Sequence, residues 1–228
     1  MKRIHAAALC FAVLMTGSLA GCQTAKPSAQ PQPEGSGFLS DYGRLAKEGS
    51  LRNRHLAYAD PSGGTRKVQT LHLLPVVRFP ARAAFDGVDE AVVADVLTYV
   101  EQRLRAQLSG RVVLAKAPEA ADVTLQVALT GMAAQPEGKT ALDLVPLRLI
   151  TAPIKNMAWG KALEAAATLE LRVVDARSAK VLREALYQVA GEGIGRADSG
   201  TTRVTLDSLK PALDSWVAGV ADQVAPRP

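Results

Sequence analysis

The residue with the best defined chemical context is Cys22, which ends the stretch Leu19-Ala20-Gly21-Cys22. Lys2 and Arg3 precede an apolar run from Ile4 to Met15. This order of charge, apolar run and small residues is typical of a secretory signal. The spacing predicts that the chain is exported and cut close to Cys22, whose thiol is a nucleophile that can be modified.

The same four residues resemble the bacterial lipobox, in which an aliphatic residue and two small residues precede a cysteine. The resemblance implies that the thiol of Cys22 is diacylglycerylated and that the bond between Gly21 and Cys22 is cleaved. Two or three acyl chains hold a protein firmly at a bilayer. Gln23, rather than an aspartate, follows the cysteine, which in Gram-negative bacteria implies transfer to the outer membrane, facing the periplasm.

An ordinary cleaved signal and a membrane-spanning helix are the alternatives to a lipobox. A span needs roughly 18 or more apolar residues, whereas Thr16, Gly17 and Ser18 interrupt this segment after a shorter run. The interruption favours the lipid anchor on Cys22, and the membrane is therefore the first predicted partner.

Catalytic chemistry has little support in the rest of the chain. A nucleophile-based hydrolase needs a Ser or Cys beside a base, and after cleavage the chain keeps only His55 and His72. Neither lies in a Gly-x-Ser-x-Gly motif, and no ligands recur at the spacings of a zinc site. A periplasmic hydrolase is the weakest hypothesis, and we predict no catalytic residue, metal or cofactor.

Two further patterns could suggest chemistry but have structural interpretations. Asp89 and Glu90 suit the first turn of a helix, and Glu164 and Glu170 suit a solvated strand face. Residues 191–195 read Gly-Glu-Gly-Ile-Gly, which is similar to a phosphate-binding loop. They follow a predicted hairpin rather than a parallel strand and lack a Walker lysine, so we do not predict nucleotide binding.

The composition limits the class of partner. Cys10 leaves with the signal and Cys22 carries the lipid, so no thiol remains for a disulfide. The formal charge of +5 falls to +3 when Lys2 and Arg3 are removed. The basic residues are spread along the chain, whereas nucleic-acid binding requires them clustered. The composition therefore excludes a nucleic-acid footprint and predicts a fold that is stabilised by packing alone.

The chain divides into three parts. Residues 1–21 are the predicted signal peptide, and residues 22–36 are rich in Pro, Gln, Ser and Ala, which predicts a disordered tether. Residues 37–226 are long enough for one domain with a real core. Two aromatic residues and two leucines directly after a tether are unlikely in solvent, so residues 37–61 are predicted to form an arm that packs on the domain.

The arm carries two motifs, Gly-Phe-Leu-x-Asp-Tyr-x-x-Leu at positions 37–45 and Tyr-x-Asp-Pro at positions 58–61. With the lipobox and the tether, they resemble the bacterial lipoproteins known as domain of unknown function 3313. The likeness continues through most of the mature chain, including Leu74-Pro75-Val76. The resemblance implies a fold and a location, and it implies no activity.

Apolar periodicity predicts the first elements of the domain. Residues 67–77 alternate as a strand, with Pro75 at an end or an edge. A helix capped by Asp86 follows and stops at Gly110. The predicted core positions are Leu71, Leu73 and Val77 in the strand, and Val93, Val96, Val100 and Leu104 in the helix.

Further strands are predicted at residues 111–115 and 122–131, and an antiparallel hairpin is predicted from residues 162–174 and 181–190. In the family the hairpin turn commonly reads Asp-x-x-Thr-Gly-Glu, whereas Ala179 replaces its glycine here. The left-handed glycine that such a turn expects is therefore missing.

Residues 191–202 are glycine-rich and are predicted to be mobile. A last helix is capped by Thr205 or by Ser208, and Pro211 lies in its first turn if Ser208 is the cap. Its predicted apolar face consists of Leu209, Leu213, Trp216, Val217, Val220 and Val224. Together the elements predict an α+β (α/β) two-layer sandwich, with two main helices on a mixed, mostly antiparallel sheet of about four to five strands. This pattern is similar to the TolB N-terminal region.

Residues 142–159 are an irregular apolar stretch that Pro146 and Pro153 interrupt. The interpretation left open is either a crossover packed on the sheet or an exposed surface for a partner. The candidate interaction residues are accordingly Phe38, Tyr42 and Tyr58 in the arm, and Ile154, Met157 and Trp159 in this stretch.

Two non-catalytic hypotheses follow. The first is an outer-membrane-anchored module that binds a protein or an envelope component. The second is a subunit of an oligomeric export or secretion assembly, formed as a homo-oligomer or with an unknown protein. Measurement of the mass in detergent would separate them.

Overall fold

The computed structural model of the protein describes residues 35–48, 55–61, 67–79, 85, 87–138, 161–196 and 203–226, all within one compact unit, Gln32–Pro228. The predicted signal peptide, most of the tether and the apolar stretch 142–159 lie outside these residues. The strands and helices are β1 (Ala46–Glu48), β2 (His55–Ala59), β3 (Thr70–Leu73), β4 (Val77–Arg78), α1 (Glu90–Ser109), β5 (Val113–Leu114), β6 (Val123–Pro136), β7 (Ala162–Asp175), β8 (Val181–Arg196) and α2 (Leu206–Val224).

The strands form one mixed sheet of eight strands in the order β1-β2-β8-β7-β6-β3-β5, and β4 also pairs with β6. The neighbouring pairs β1–β2, β2–β8, β8–β7 and β7–β6 are antiparallel. Strand β3 pairs in parallel with both β5 and β6. The predicted α+β class, with a mixed sheet and two main helices, is confirmed. More strands are present than the four to five expected, because short strands such as β1 and β4 show no alternation in a sequence. Neither described helix is long and apolar enough to cross a membrane.

The first predicted strand, residues 67–77, is interrupted at Pro75. Residues 74–76 separate β3 from β4, because a proline has no N–H to continue a ladder of hydrogen bonds. The interruption changes which side chains face the core. Val76 is buried whereas Val77 is 43% exposed, so the prediction that Val77 lies in the core is wrong.

Helix α1 begins later than predicted. Gly87 has a φ of 83°, which no right-handed helix contains, and Asp86, the predicted cap, lies outside the described residues. Asp89 takes that role, since its carboxylate accepts a hydrogen bond from the N–H of Ala91 at 2.9 Å. The helix ends at Gly110 as predicted. Its buried residues include every predicted position and are Val93, Val96, Val100, Leu104 and Leu108.

Helix α2 is capped by Thr205 rather than by Ser208. The hydroxyl of Thr205 accepts from the N–H of Ser208 at 3.2 Å, and the hydroxyl of Ser208 accepts from the N–H of Thr205 at 3.2 Å. Pro211 therefore lies beyond the first turn and cannot donate to the carbonyl of Asp207. The predicted apolar face is buried throughout, at Leu209, Leu213, Trp216, Val217, Val220 and Val224.

The hairpin of β7 and β8 is longer than predicted. β8 continues to Arg196 and stays paired with β7, so the prediction of mobility is wrong for residues 191–196; residues 197–202 lie outside the described part of the chain. A Cβ at Gly191 would lie 2.1 Å from the carbonyl oxygen of Ser208. The glycine at this position therefore permits close packing of the strand on α2.

The turn of this hairpin keeps a left-handed residue without a glycine. Ala179 has a φ of 57° and is the only non-glycine residue of the described ranges with a positive φ. The carboxylate of Asp175 accepts hydrogen bonds from the N–H groups of Arg177 at 3.1 Å and Ser178 at 2.9 Å. Side-chain bonding thus holds a conformation that costs an alanine about 1 kcal/mol.

The two faces of the sheet are covered by different parts of the chain. Both helices pack on one face and form the main apolar core with it. Thr168, Glu170 and Glu184 lie on the opposite face, and each is at most 2% exposed. The prediction that Glu170 lies on a solvated strand face is therefore wrong, because a segment of the arm lies over it.

Candidate functional site

Residues 36–45, which we call the motif segment, lie on the face of the sheet opposite the helices. We call this the arm face. The motif segment includes a 3₁₀ helix, Tyr42–Arg44, that begins after Asp41, whose carboxylate accepts from the N–H of Gly43 at 2.8 Å. Leu39 is its single fully buried apolar residue, at 4% exposure. Polar contacts therefore provide most of its attachment.

The hydroxyl of Tyr42 is the centre of the first group of contacts. It donates to Oε2 of Glu170 at 2.6 Å and accepts from the backbone N–H groups of Gly37 at 3.1 Å and Leu39 at 3.2 Å. Ser36 Oγ lies 3.0 Å from the same oxygen. One phenol thus closes the loop of residues 36–42 on itself and joins it to β7.

The carboxylate of Glu184 is the centre of the second group. Its Oε1 accepts from the N–H of Ser40 at 2.8 Å, from the hydroxyl of Ser40 at 2.9 Å and from Nε of Arg172 at 3.0 Å. Its Oε2 accepts from Arg44, through Nη2 at 2.6 Å and Nε at 3.3 Å. Two guanidinium groups therefore neutralise a carboxylate with no exposed surface.

Arg172 links the two groups to the aromatic residues of the segment. Its Nη2 donates to the backbone carbonyl of Phe38 at 2.5 Å, and its guanidinium lies 5.6 Å from the centre of the Phe38 ring. The Phe38 ring in turn packs edge-on against Phe79, with 5.8 Å between ring centres.

The second motif supports the same region from β2. Arg44 lies over the ring of Tyr58 at 4.0 Å, a cation–π contact. Asp60 donates its N–H to the carbonyl of Leu182 at 2.9 Å, and its carboxylate forms an ion pair with Lys180. Both motifs therefore contribute to positioning the arm against β8.

Burial and hydrogen bonding have opposite effects on the two carboxyl groups. Burial raises the pKa of Glu170 above its ordinary value, although the hydrogen bond from Tyr42 opposes the shift. Burial also acts to raise the pKa of Glu184, but hydrogen bonds from Ser40 and Arg44 outweigh it and hold that pKa below its ordinary value. Burial and the hydrogen bond to Glu170 raise the pKa of Tyr42, so the phenol stays a donor.

The histidines considered as bases lie apart from this cluster. His55 is buried with its ring stacked on Tyr187 at 4.5 Å, and its Nε2 lies 3.4 Å from the carboxylate of Glu48. His72 Nδ1 lies 3.0 Å from the carbonyl oxygen of Ala115. Within the described ranges, no group of three His, Cys, Asp or Glu residues could hold a metal ion.

Other candidate patterns have structural positions. Glu90 lies in the first turn of α1 and pairs with Arg78 at 2.6 Å. Glu164 accepts from Gln135 at 2.8 Å. Residues 191–195 belong to β8.

The sequence predicts Phe38, Tyr42 and Tyr58 as interaction residues, but it does not predict that Glu170, Arg172 and Glu184 bind the motif segment. These three residues lie on one face of β7 and β8, and charged side chains on a strand face are typical of a face in solvent. One signal could have found them: a motif with an aspartate, a tyrosine and an arginine next to apolar residues needs buried polar partners.

The fold and the site define a class: an α+β domain whose N-terminal segment is bound across the second face of its sheet. Residues 34–220 match the family described as Protein of unknown function (DUF3313), and the chain belongs to that family. The predicted membership is confirmed. The chain is 23% identical over 198 residues to the uncharacterized lipoprotein YdcL of Escherichia coli (strain K12), covering 86% of each chain.

Solved structures show more distant similarity. A PelC dodecamer from Paraburkholderia phytofirmans is 14% identical with a TM-score of 0.38, covering 77% of this chain and 99% of that chain. A hypothetical protein from Chlamydia trachomatis is 13% identical with a TM-score of 0.42, covering 69% and 97%. A protein from Xanthomonas campestris is 10% identical with a TM-score of 0.42, covering 73% and 89%.

Several predictions concern residues or properties beyond the described structure. Gly21 and Cys22, and the candidate interaction residues Ile154, Met157 and Trp159, lie outside the described residues. Lipidation, the outer-membrane location, the oligomeric assembly and the likeness to the TolB N-terminal region all stay predictions.

Proposed function

We propose that the protein is a non-enzymatic lipoprotein of the outer membrane, anchored through Cys22, whose periplasmic domain binds a protein or another envelope component. The lipobox-like stretch and the similarity to a protein described as a lipoprotein support the anchor. Gln23 at the second position of the mature chain supports the outer membrane as its destination.

The internal hydrogen bonding of Glu184 and Tyr42 is the observation that carries the non-enzymatic part, whereas Oε1 of the neighbouring Glu170 is buried without a hydrogen-bond partner. A reactive site needs polar groups that converge on space open to a substrate. Here the two oxygens of Glu184 accept five hydrogen bonds from protein groups. Tyr42 is likewise occupied by Glu170 and by backbone N–H groups. These residues hold the motif segment in place, which suits a binding module.

The candidate interaction residues of the arm differ in what they can offer a partner. The Tyr42 hydroxyl is used internally, and the Tyr58 ring is covered by Arg44. Phe38 is half-buried against Phe79 and keeps part of its ring accessible. Phe38 is therefore the best described position from which to detect a partner, with Trp159 as the corresponding position in the apolar stretch.

Metabolic labelling tests the anchor. Cells that express the full chain are grown with a clickable palmitate analogue, and their membranes are separated on a density gradient. We expect label on the wild type in the outer-membrane fraction and none on Cys22→Ser. Label that persists on Cys22→Ser, or wild type that is recovered without lipid, would overturn the anchor.

Photocrosslinking in cells tests the binding role. A photoreactive residue replaces Phe38 or Trp159, and mass spectrometry identifies the adducts. Val113, which is 67% exposed on the edge strand β5, is the matched control position. We expect a discrete protein adduct at Phe38 or Trp159 that is missing at Val113, and the same background at all three positions would contradict the proposal.

A further inference from the structure

We propose that the arm face is a peptide-binding site and that the motif segment is its resident ligand, which a partner segment of the same chemistry can replace. The inference rests on the proposed binding role and names the class of partner. That class is a short polypeptide segment that forms the same turn and carries Ser, Tyr and Arg at alternate positions, as Ser40, Tyr42 and Arg44 do here.

The motif segment resembles a bound ligand because the main core forms without it. The apolar cluster between the helices and the sheet contains no residue from 36–45. Leu39 is buried, but it stands outside that cluster. The segment can therefore leave while the helices and the sheet keep their packing, which distinguishes it from an element of the core.

The receptor groups are held by the part of the domain that remains. Glu170 and Arg172 lie on β7 and Glu184 lies on β8, two paired strands of 14 and 16 residues. Arg172 and Glu184 are direct cross-strand partners, and Arg172 Nε lies 3.0 Å from Glu184 Oε1. This ion pair involves no residue of the segment, so it orients both side chains before a ligand binds.

The contacts amount to a recognition pattern. Two of them bind the backbone of the segment: Arg172 donates to the carbonyl of Phe38, and Glu184 accepts from the N–H of Ser40. The others recognise side chains: Glu184 accepts from the Ser40 hydroxyl and from Arg44, and Glu170 accepts from the Tyr42 phenol. Backbone contacts supply affinity, and the side-chain contacts supply specificity for the hydroxyl, the phenol and the guanidinium.

Exchange of the segment would change how far the domain reaches from its anchor. The motif segment directly follows the predicted tether, so its release adds about ten residues to the tether. An extended chain spans about 3.3 Å per residue, which gives a gain of roughly 30 Å. A partner that replaces the segment would therefore also extend the domain away from the membrane.

Competition between the resident segment and a synthetic peptide tests the inference. A fluorescent peptide of residues 35–48 is titrated onto the full chain, either wild type or Tyr42→Phe. Loss of the phenol removes the bond to Glu170 from the resident segment but leaves the receptor intact. We expect the peptide to bind the Tyr42→Phe chain about tenfold or more tightly than the wild type, and a peptide with the same substitution to bind more weakly.

Two controls make the outcome decisive. Tyr99→Phe also removes one phenol, but it lies on α1, where its hydroxyl donates to Asp214, so it should leave the peptide affinity at the wild-type value. Glu184→Gln weakens the site for the resident segment and the peptide alike, so adding it to the Tyr42→Phe chain, where the resident segment competes less, should weaken binding of the peptide. Equal affinity for the wild-type and Tyr42→Phe chains, both shown to be folded by their thermal transitions, would overturn the inference. The test involves no lipid and no natural partner, so its failure leaves the lipid-labelling and crosslinking results unaffected.

Discussion

The two faces of the sheet are stabilised by different interactions. On the helix face, β7 contributes Leu169, Leu171 and Val173 to a continuous apolar core. On the arm face, the same strand contributes Glu170 and Arg172, which bind the motif segment through hydrogen bonds and ion pairs. One strand therefore carries both the packing that holds the fold and the polar groups that hold a single segment.

This contrast between the two faces indicates which part of the molecule can move separately. Apolar burial is non-directional and is roughly proportional to area, so it stabilises the domain as a whole. Buried hydrogen bonds are directional, and leaving one partner unpaired costs more than the bond itself contributes. We therefore expect substitutions on the helix face to lower global stability and substitutions on the arm face to release the segment selectively.

The largest expected effect is on the helix face. Leu171 is fully buried, and its replacement by Ala should lower the free energy of unfolding by about 2–5 kcal/mol. Urea denaturation measures the change. Val113→Ala, at an exposed position, is the control and should change stability by less than about 0.5 kcal/mol. A loss of similar size in both variants would contradict the assignment of the core.

The next effect is on the arm face. Glu184→Ala leaves Arg44, Arg172 and Ser40 without their shared acceptor, and we expect a loss of about 2–3 kcal/mol, because the arginines keep some contact with water. Hydrogen exchange should accelerate in residues 37–45 while α1 and α2 keep their protection. If hydrogen exchange also accelerates to the same extent in both helices, the motif segment does not detach independently of the core.

A single phenol gives a smaller effect of the same kind. Tyr42→Phe should cost about 1–2 kcal/mol, since it leaves the N–H groups of Gly37 and Leu39 without their acceptor. The hydrogen-exchange rates of those two amides should increase before those of other residues. If Tyr99→Phe, whose hydroxyl donates to Asp214, changes the same amides equally, the contact of Tyr42 with Glu170 is not what attaches the segment.

The pH dependence should separate the two carboxyl groups. A raised folded-state pKa means that Glu170 stabilises the fold fully below its unfolded pKa of about 4.3 and that this contribution is lost as the pH rises through the folded value. Glu170→Gln, which is neutral at every pH, should therefore gain stability relative to wild type as the pH rises from 4 towards 8. Urea titrations across this range measure the difference, and a constant difference would contradict the shift.

The lowered pKa of Glu184 makes stability depend on pH in the opposite direction. Its contribution is present above the unfolded value and is lost as the pH falls through the folded value. Glu184→Gln should therefore be most destabilising near neutral pH. In acid, the difference in the free energy of unfolding between the variant and the wild type should become smaller.

The smallest effect is in the hairpin turn, which belongs to neither face. Ala179 has a positive φ, and Ala179→Gly should raise the free energy of unfolding by about 0.5–1 kcal/mol, because the relief of strain exceeds the added entropy of the unfolded chain. Thermal denaturation measures the gain. Ala176→Gly, in the same turn, is the control and should give no gain.

Periodicity in the sequence was reliable where one face of an element was apolar. The buried positions of α1 and α2 were predicted correctly because a stripe at spacings of three and four has one solution on a helix. The sequence was less informative at Pro75, where a short interruption moved Val76 rather than Val77 into the core. It was also uninformative about Gly191, since a glycine can permit either mobility or close packing.

The two helices, the long strands, the family and the motif residues Phe38, Tyr42 and Tyr58 could be read from the sequence alone. Each of these depends on neighbours along the chain, which a sequence displays directly. The burial of Glu170 and Glu184 became visible in the folded chain, because what covers them is the motif segment, 128 to 144 residues away in the chain. The alternation of a strand tells which side chains share a face, but what lies over that face depends on contacts that no local pattern contains.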